Sequence, residues 1–201
     1  MRKKPFLFNK IAGLYSLFYN WQVRNYRRIL DNIKSECDFP SCQNVVDIGC
    51  GTGALCKVLQ EYGINVTGLD PAEAMLSVAT KKAGKAEANE TDISFICGDV
   101  LNGLPFQDKS FDIAITSYVA HGLMPKDRLI LYNEMKRVAR KTVIFIDYNE
   151  QRSLISDIVE WLEGGDYFNF IRTNKDELIE QFGNLKVINT GKRSAAYICK
   201  K

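Results

Sequence analysis

The residues best equipped for chemistry stand where short apolar runs of the 201-residue chain end. In Val45-Val46-Asp47-Ile48-Gly49-Cys50-Gly51-Thr52-Gly53 a β-rich run enters a turn with three glycines at alternate positions. Such glycines accept positive φ and let a ligand approach the backbone, and a helix opening behind them offers unpaired N–H groups. Two more acids follow runs of the same kind: Asp70 closes Val66-Thr67-Gly68-Leu69, and Asp99 follows Phe95-Ile96-Cys97-Gly98. Ser117, Tyr118 and His121, the single histidine, follow a fourth run.

The glycine spacing alone is ambiguous. Gly49-x-Gly51-x-x-Ala54, with Asp70 21 residues after Gly49, also satisfies a loose dinucleotide fingerprint. Asp47 separates the two readings. A carboxylate two residues before the turn repels a pyrophosphate, whereas a ligand with sulfonium and ammonium charges welcomes it, so electrostatics favour S-adenosylmethionine over NAD. Asp70 is then placed to accept both ribose hydroxyls. Asp99 is placed to accept the exocyclic amine of an adenine walled by Met75 and Val100. Taken singly, each acid has a plainer reading, since Asp70 before Pro71 could simply cap the next helix.

The elements that must position these groups alternate. Strands are predicted at Asn44–Ile48, Asn65–Leu69, Ile93–Cys97, Phe111–Ser117 and Thr142–Asp147, and helices near Ala54–Tyr62, Ala72–Ala83, Lys126–Ala139 and Gln151–Trp161. This order implies a mainly parallel sheet covered on both faces. Leu185–Asn189 and Ala195–Cys199 flank Gly191-Lys192 with no room for a crossover helix, which predicts an antiparallel hairpin. Apolar residues from Ile11 to Ile33 recur at three- and four-residue steps, giving one long or two short helices. The organisation expected is one globular domain, with residues 1–40 as an N-terminal helical segment and 41–201 as the core. Residues 81–92 read as a helix end and exposed loop, where the sequon at Asn89 carries little meaning.

Composition excludes several classes. The net charge of +3 hides an asymmetry, with eight Lys/Arg against one acid in residues 1–34. Arg24, Arg27 and Arg28 lie beside aromatics there and could meet an anionic acceptor, a membrane surface or RNA, although most such clusters are solvated helix faces. Six cysteines without a C-x-x-C pair and one histidine argue against a zinc site and for reduced thiols in the cytoplasm. Asn9 and Lys10 interrupt the early apolar run before it reaches signal-peptide length, and no run is long enough to span a membrane.

Val45–Gly53 resembles motif I of the class I methyltransferases, Val66–Leu76 their ribose-binding segment, and Phe95–Val100 their adenine-binding segment. The local likeness is to the branch that contains the ubiquinone and menaquinone biosynthesis methyltransferases. That branch opens with an F-x-x-I-A-x-x-Y-D element, matched here from Phe8 to Tyr15 with Ser16 in place of the acid. The resemblance implies a Rossmann-like α/β fold of seven strands, mostly parallel, with an antiparallel last strand. It implies S-adenosyl-L-methionine as cofactor, leaving S-adenosyl-L-homocysteine. The residues it assigns to the cofactor are Tyr15, Asp47, Gly49, Cys50, Gly51, Asp70, Pro71, Met75, Asp99, Val100 and Ser117. The acceptor it implies is a small organic molecule. Ser117-Tyr118-Val119-Ala120 lacks the Pro-Pro pair with which amino-methyltransferases grip a flipped base, so nucleic acid is not expected.

Methyl transfer is an in-line displacement, and the protein chiefly aligns the reactants and excludes water. A general base is needed only where the acceptor still carries its proton. His121 is the first candidate, with Tyr118 and Tyr148 behind it. Tyr15, Phe18, Tyr19 and Trp21, together with Gly164-Gly165-Asp166-Tyr167-Phe168, form either a lid or plain core. Two rival functions remain open at this point: a cofactor-binding regulatory protein without turnover, and an NAD-dependent oxidoreductase.

Overall fold

The computed structural model describes residues 12–13, 15–37, 39–84, 92–152 and 165–201, and the chain divides into two units, residues 1–104 and 105–201. In the first unit a helix, α1 (Tyr19–Ile33), buries Tyr19, Ile29, Leu30 and Ile33 and exposes Trp21, Arg24 and Arg28 on its opposite face. Then come β1 (Asn44–Ile48), α2 (Ala54–Glu61), β2 (Asn65–Asp70), α3 (Glu73–Ala83) and β3 (Ile93–Cys97). The three strands are all parallel, with β2 between β1 and β3. Val45, Val46 and Ile48 of β1 are buried, as are Leu55, Val58 and Leu59 of α2, so this strand–turn–helix is the centre of the unit's core. Arg27 holds both oxygens of Glu61, tying α1 to the end of α2.

The second unit runs β4 (Phe111–Ser117), α4 (Pro125–Val138), β5 (Ala139–Tyr148), α5 (Tyr167–Phe182), β6 (Lys186–Gly191) and β7 (Ser194–Lys200). β4 pairs with β5 in parallel, and β7 pairs antiparallel with both β5 and β6, so β7 alone reverses direction. Every residue of β4 is buried, the polar Asp112, Thr116 and Ser117 as well as the apolar ones. The proline at the start of α4 costs nothing, because the first N–H of a helix has no partner to lose.

β5 begins three residues earlier than predicted, at Ala139, because Asp112, only 3% exposed, takes the Arg140 guanidinium at 2.9 Å and neutralises a charge that reads as loop. The sequence pattern predicts no helix where α5 lies. Tyr167, Phe170, Ile171, Asn174 and Leu178 form its buried stripe, and the buried Asn174 in mid-stripe disguises the apolar period. Asn174 Nδ2 donates to the hydroxyl of Tyr197 at 2.9 Å, which makes its burial tolerable. The helix predicted across residues 151–161 and the sequon at Asn89 lie outside the described residues, apart from Gln151 and Arg152, which are irregular.

Candidate functional site

Asp47 lies on β1 opposite Gly68 of β2 and has no solvent exposure. Its Oδ2 accepts from the Cys56 thiol at 3.3 Å, while the buried Oδ1 has no hydrogen-bond partner. Burial pushes the carboxyl up to about 7; the thiol hydrogen bond opposes this, and the Asp70 charge adds to it. A buried acceptor without a donor costs about 1–3 kcal/mol, so this oxygen calls for one.

After Ile48 the chain turns through Gly49, Gly51 and Gly53, with φ of 78°, 54° and 74°. All three are left-handed, a region in which a side chain is strained, so the alternate glycines are a backbone requirement. The N–H groups of Gly49 and Cys50 both donate to the Leu69 carbonyl, at 2.7 and 3.1 Å, which fastens the turn to β2.

Asp70 ends β2 and is 8% exposed. Its Oδ2 accepts from the Gly51 N–H at 2.9 Å and its Oδ1 from the Ala72 N–H at 2.8 Å. It thus joins the glycine turn to the entrance of α3. Burial raises its pKa and the two amides pull it down, with burial the larger effect. Each carboxylate oxygen has a second lone pair, so these ties leave capacity for hydroxyl donors. The Asp70 carbonyl also accepts the Gly98 N–H at 3.2 Å, which places the end of β3 beside it. Asp99 follows, and its Oδ1 accepts from Leu101 N–H at 3.0 Å, capping the short helical turn Val100–Asn102. Val100 and Met75 are 7% and 2% exposed, and Tyr15 packs on the cluster of Ala12, Ala72 and Met75. Tyr15, Asp47, Gly49, Cys50, Gly51, Asp70, Pro71, Met75, Asp99 and Val100 are therefore gathered around the C-terminal ends of three parallel strands.

Ser117, Tyr118 and His121 belong to the second unit. Ser117 ends β4, 9% exposed, and Tyr118 stands beyond it with φ of 53° and its N–H on the Ile146 carbonyl at 2.8 Å. His121 is 6% exposed in a helical turn, Ala120–Gly122. Its ring Nδ1 lies 2.7 Å from Oδ1 of Asp147, a residue the sequence reading passed over. The signal was present, since Asp147 closes a predicted strand as Asp70 does. What sequence could not supply was the parallel register that pairs Ser117 with Ile146 and so brings the following residues of β4 and β5 together.

The segment behind His121 is held firmly. Arg128, with no exposure, gives Nε and Nη2 to Glu177 at 2.9 and 2.7 Å, and Nη1 to Asp166 and the Leu123 carbonyl. These bonds raise its pKa despite burial. Gly165 lies so close to the loop that an added Cβ would stand 2.9 Å from Gly122 Cα. Gly165 thus serves close backbone packing.

A parallel α/β arrangement with a glycine turn and acids at successive strand ends is the architecture of a nucleoside-binding enzyme. The family model described as "methyltransferase domain" matches residues 46–146, half of the chain, and the protein belongs to that family, the S-adenosyl-L-methionine-dependent methyltransferases. An uncharacterized methyltransferase of Staphylococcus carnosus is 24% identical over 188 residues, covering 90% of this chain and 86% of the relative. The ubiquinone/menaquinone biosynthesis C-methyltransferase of Campylobacter jejuni is 30% identical over 109 residues, covering 51% of this chain and 42% of the relative. Across the curated relatives first in rank, the chain spans between 32% and 86% of the relative's own length. In fold it is similar to the crystal structure of the Synechocystis magnesium protoporphyrin IX methyltransferase with bound S-adenosylhomocysteine, with a TM-score of 0.66 at 18% identity over 89% of this chain and 82% of that one. The fold is the Rossmann-like class I methyltransferase fold, and the cofactor is S-adenosyl-L-methionine. Family membership sets the NAD oxidoreductase reading aside.

Proposed function

We propose that this protein transfers the methyl group of S-adenosyl-L-methionine to a small organic acceptor, with the cofactor held by the strand ends of the first unit. The observation that carries the reading is Asp47. A fully buried carboxylate oxygen without a donor, next to a glycine turn, fits a ligand that brings an ammonium group and repels one that brings a pyrophosphate. The rest of the donor set fits as well. The remaining lone pairs of Asp70 receive the ribose hydroxyls, and Asp99 receives the adenine amine between the apolar side chains of Met75 and Val100. Gly49, Cys50 and Gly51 supply a turn open to close approach, Pro71 shapes the entry to α3, and Tyr15 rests on Met75 at the edge of the same cluster.

When bound, the cofactor supplies a methyl group on a sulfonium, and the loss of that positive charge drives the transfer. The chain's own work is to orient the nucleoside, hold the acceptor in line and keep water out. The test is calorimetric titration of the purified protein with S-adenosylmethionine, S-adenosylhomocysteine and NAD in parallel, followed by a radiolabelled methyl-transfer screen. Micromolar binding of the first two and not of NAD, with label passing to an organic acceptor, is the expected result. Binding without transfer to any acceptor in a broad screen would favour a regulatory protein instead, and binding of NAD alone would overturn the reading of Asp47.

A further inference from the structure

Two opposed faces of α1 carry different chemistry. Tyr19, Ile29, Leu30 and Ile33 fill the core of the first unit, whereas Trp21, Arg24 and Arg28, three and four residues apart, form an exposed stripe on the other side. Leu17 and Phe18, just before the helix, are 79% and 54% exposed, and Trp21 is 59% exposed. Scattered apolar side chains on a surface mean little, but adjoining ones that lead into a row of arginines mark an interaction surface. The exposure does not come from a loose helix. Arg27 grips both oxygens of Glu61, the Tyr62 hydroxyl donates to Asp31 at 3.1 Å, and the Thr52 hydroxyl donates to Gln22 Oε1 at 3.1 Å, so α1 is tied to the glycine turn and to the far end of α2.

The charge around this face has one sign. Seven Lys/Arg and no acid precede Asp31 in the chain. Asp31 is engaged by Lys34 Nζ at 3.3 Å and by Tyr62, and the hydrogen bond that Arg28 gives to the amide oxygen of Asn25 at 2.9 Å goes to a neutral group, which does not offset its charge. We propose that the outward face of α1 is a docking surface for an anionic lipid bilayer, with Leu17, Phe18 and Trp21 entering the boundary between headgroups and acyl chains and Arg24 and Arg28 lying on the lipid phosphates. An indole has an apolar body and one N–H, which suits the headgroup level, and an arginine lays its apolar stem along the lipid while its head stays among the phosphates. Among the described residues no helix is long and apolar enough to cross a membrane, so the contact is one of surface. A nucleic acid would use the arginines and stack on Trp21 but has no need of Leu17. A second copy, paired about a two-fold axis, would set an acid-free stripe against itself. The surface needs no cofactor, so the proposal stands apart from the methyltransferase reading.

The test is co-sedimentation of the full chain with vesicles of phosphatidylcholine alone and of phosphatidylcholine mixed with phosphatidylglycerol, without cofactor. The expected result is binding to the mixed vesicles that weakens with salt, and little binding to the neutral ones. Arg24→Gln with Arg28→Gln should lower partitioning about 30-fold, from about fivefold for each arginine at the lipid surface. Lys126→Gln with Arg172→Gln removes the same charge from exposed positions in the second unit and should leave partitioning within about twofold. Lipids with brominated chains should quench the emission of Trp21, read as the difference between wild type and Trp21→Phe. No binding to the mixed vesicles, equal losses in the two double variants, or an unquenched Trp21 would overturn the proposal. So would an RNA oligonucleotide bound through Arg24 and Arg28, or a dimer lost in Trp21→Ala, in a protein that ignores vesicles. Should a variant fail to fold, the comparison of the two vesicle types with the wild type still decides.

Discussion

Replacing Asp47 by Asn removes a fully buried ionisable group beside the glycine turn at nearly constant volume, and the structure gives the consequence a sign and a size. Burial raises the Asp47 carboxyl from its ordinary 3.8 to about 7 in the folded protein, against the opposing hydrogen bond from Cys56. The folded state therefore binds more protons at this site than the unfolded chain does between about pH 4 and 7, so its contribution to stability falls as pH rises through that window. The shift corresponds to about 4 kcal/mol held against the ligand-free fold above pH 7. Asn carries no such penalty. The stability of Asp47→Asn relative to wild type, measured by urea unfolding, should improve by a few kcal/mol between about pH 4.5 and 8.

Cofactor affinity should move the other way. A hydrogen bond between charged groups contributes about 1.5–3 kcal/mol, so the variant should bind S-adenosylmethionine roughly 10- to 150-fold more weakly at pH 8. Wild-type binding should also release a proton near pH 6–7, because the cationic ligand favours the ionised carboxylate. Calorimetry in buffers of different ionisation enthalpy reads that proton. Equal affinity in the two proteins, together with the same dependence of stability on pH, would refute the placement of the ligand at Asp47.

Three further outcomes follow from the geometry. Asp70→Ala unfastens Gly51 and Ala72 and removes the acceptor proposed for the ribose, so cofactor affinity should fall at least tenfold by calorimetry; unchanged affinity would sink the ribose proposal. Glu177→Ala strips the bidentate partner from fully buried Arg128 and should cost about 3 kcal/mol in urea unfolding, and a loss under 1 kcal/mol would show that Asp166 suffices alone. Gly165→Ala drives a methyl to 2.9 Å from the Gly122 backbone, so thermal unfolding should show a destabilisation of about 1–3 kcal/mol, and a neutral result would contradict that close approach.

Elements whose reason is local were open to the sequence. β1 and β3 begin and end as their apolar runs do, and the hairpin of β6 and β7 follows from two runs with no space between them. The glycine turn was readable because left-handed backbone leaves a compositional trace at Gly49, Gly51 and Gly53. What escaped depends on partners distant in sequence. α5 contains a buried Asn satisfied by Tyr197, and β5 starts among basic residues neutralised by Asp112. In both, a polar residue at a core position reads as loop until its partner is known. Asp70 shows the opposite case, since its oxygens fasten the turn through Gly51 and Ala72 and each still has a second lone pair. The pairing of His121 with Asp147, 26 residues on, rests on the β4–β5 register, and no spacing in the sequence announces it.

Whether the strand-end acids of the first unit hold the cofactor is decided by a crystal structure of the protein with S-adenosylhomocysteine. The expected structure has the ligand's ammonium hydrogen-bonded to the Asp47 carboxylate at about 3 Å or joined to it through one water, the ribose hydroxyls on Asp70 and the adenine amine on Asp99. A nucleoside bound with its ribose away from Asp70 and its ammonium away from Asp47 would contradict it.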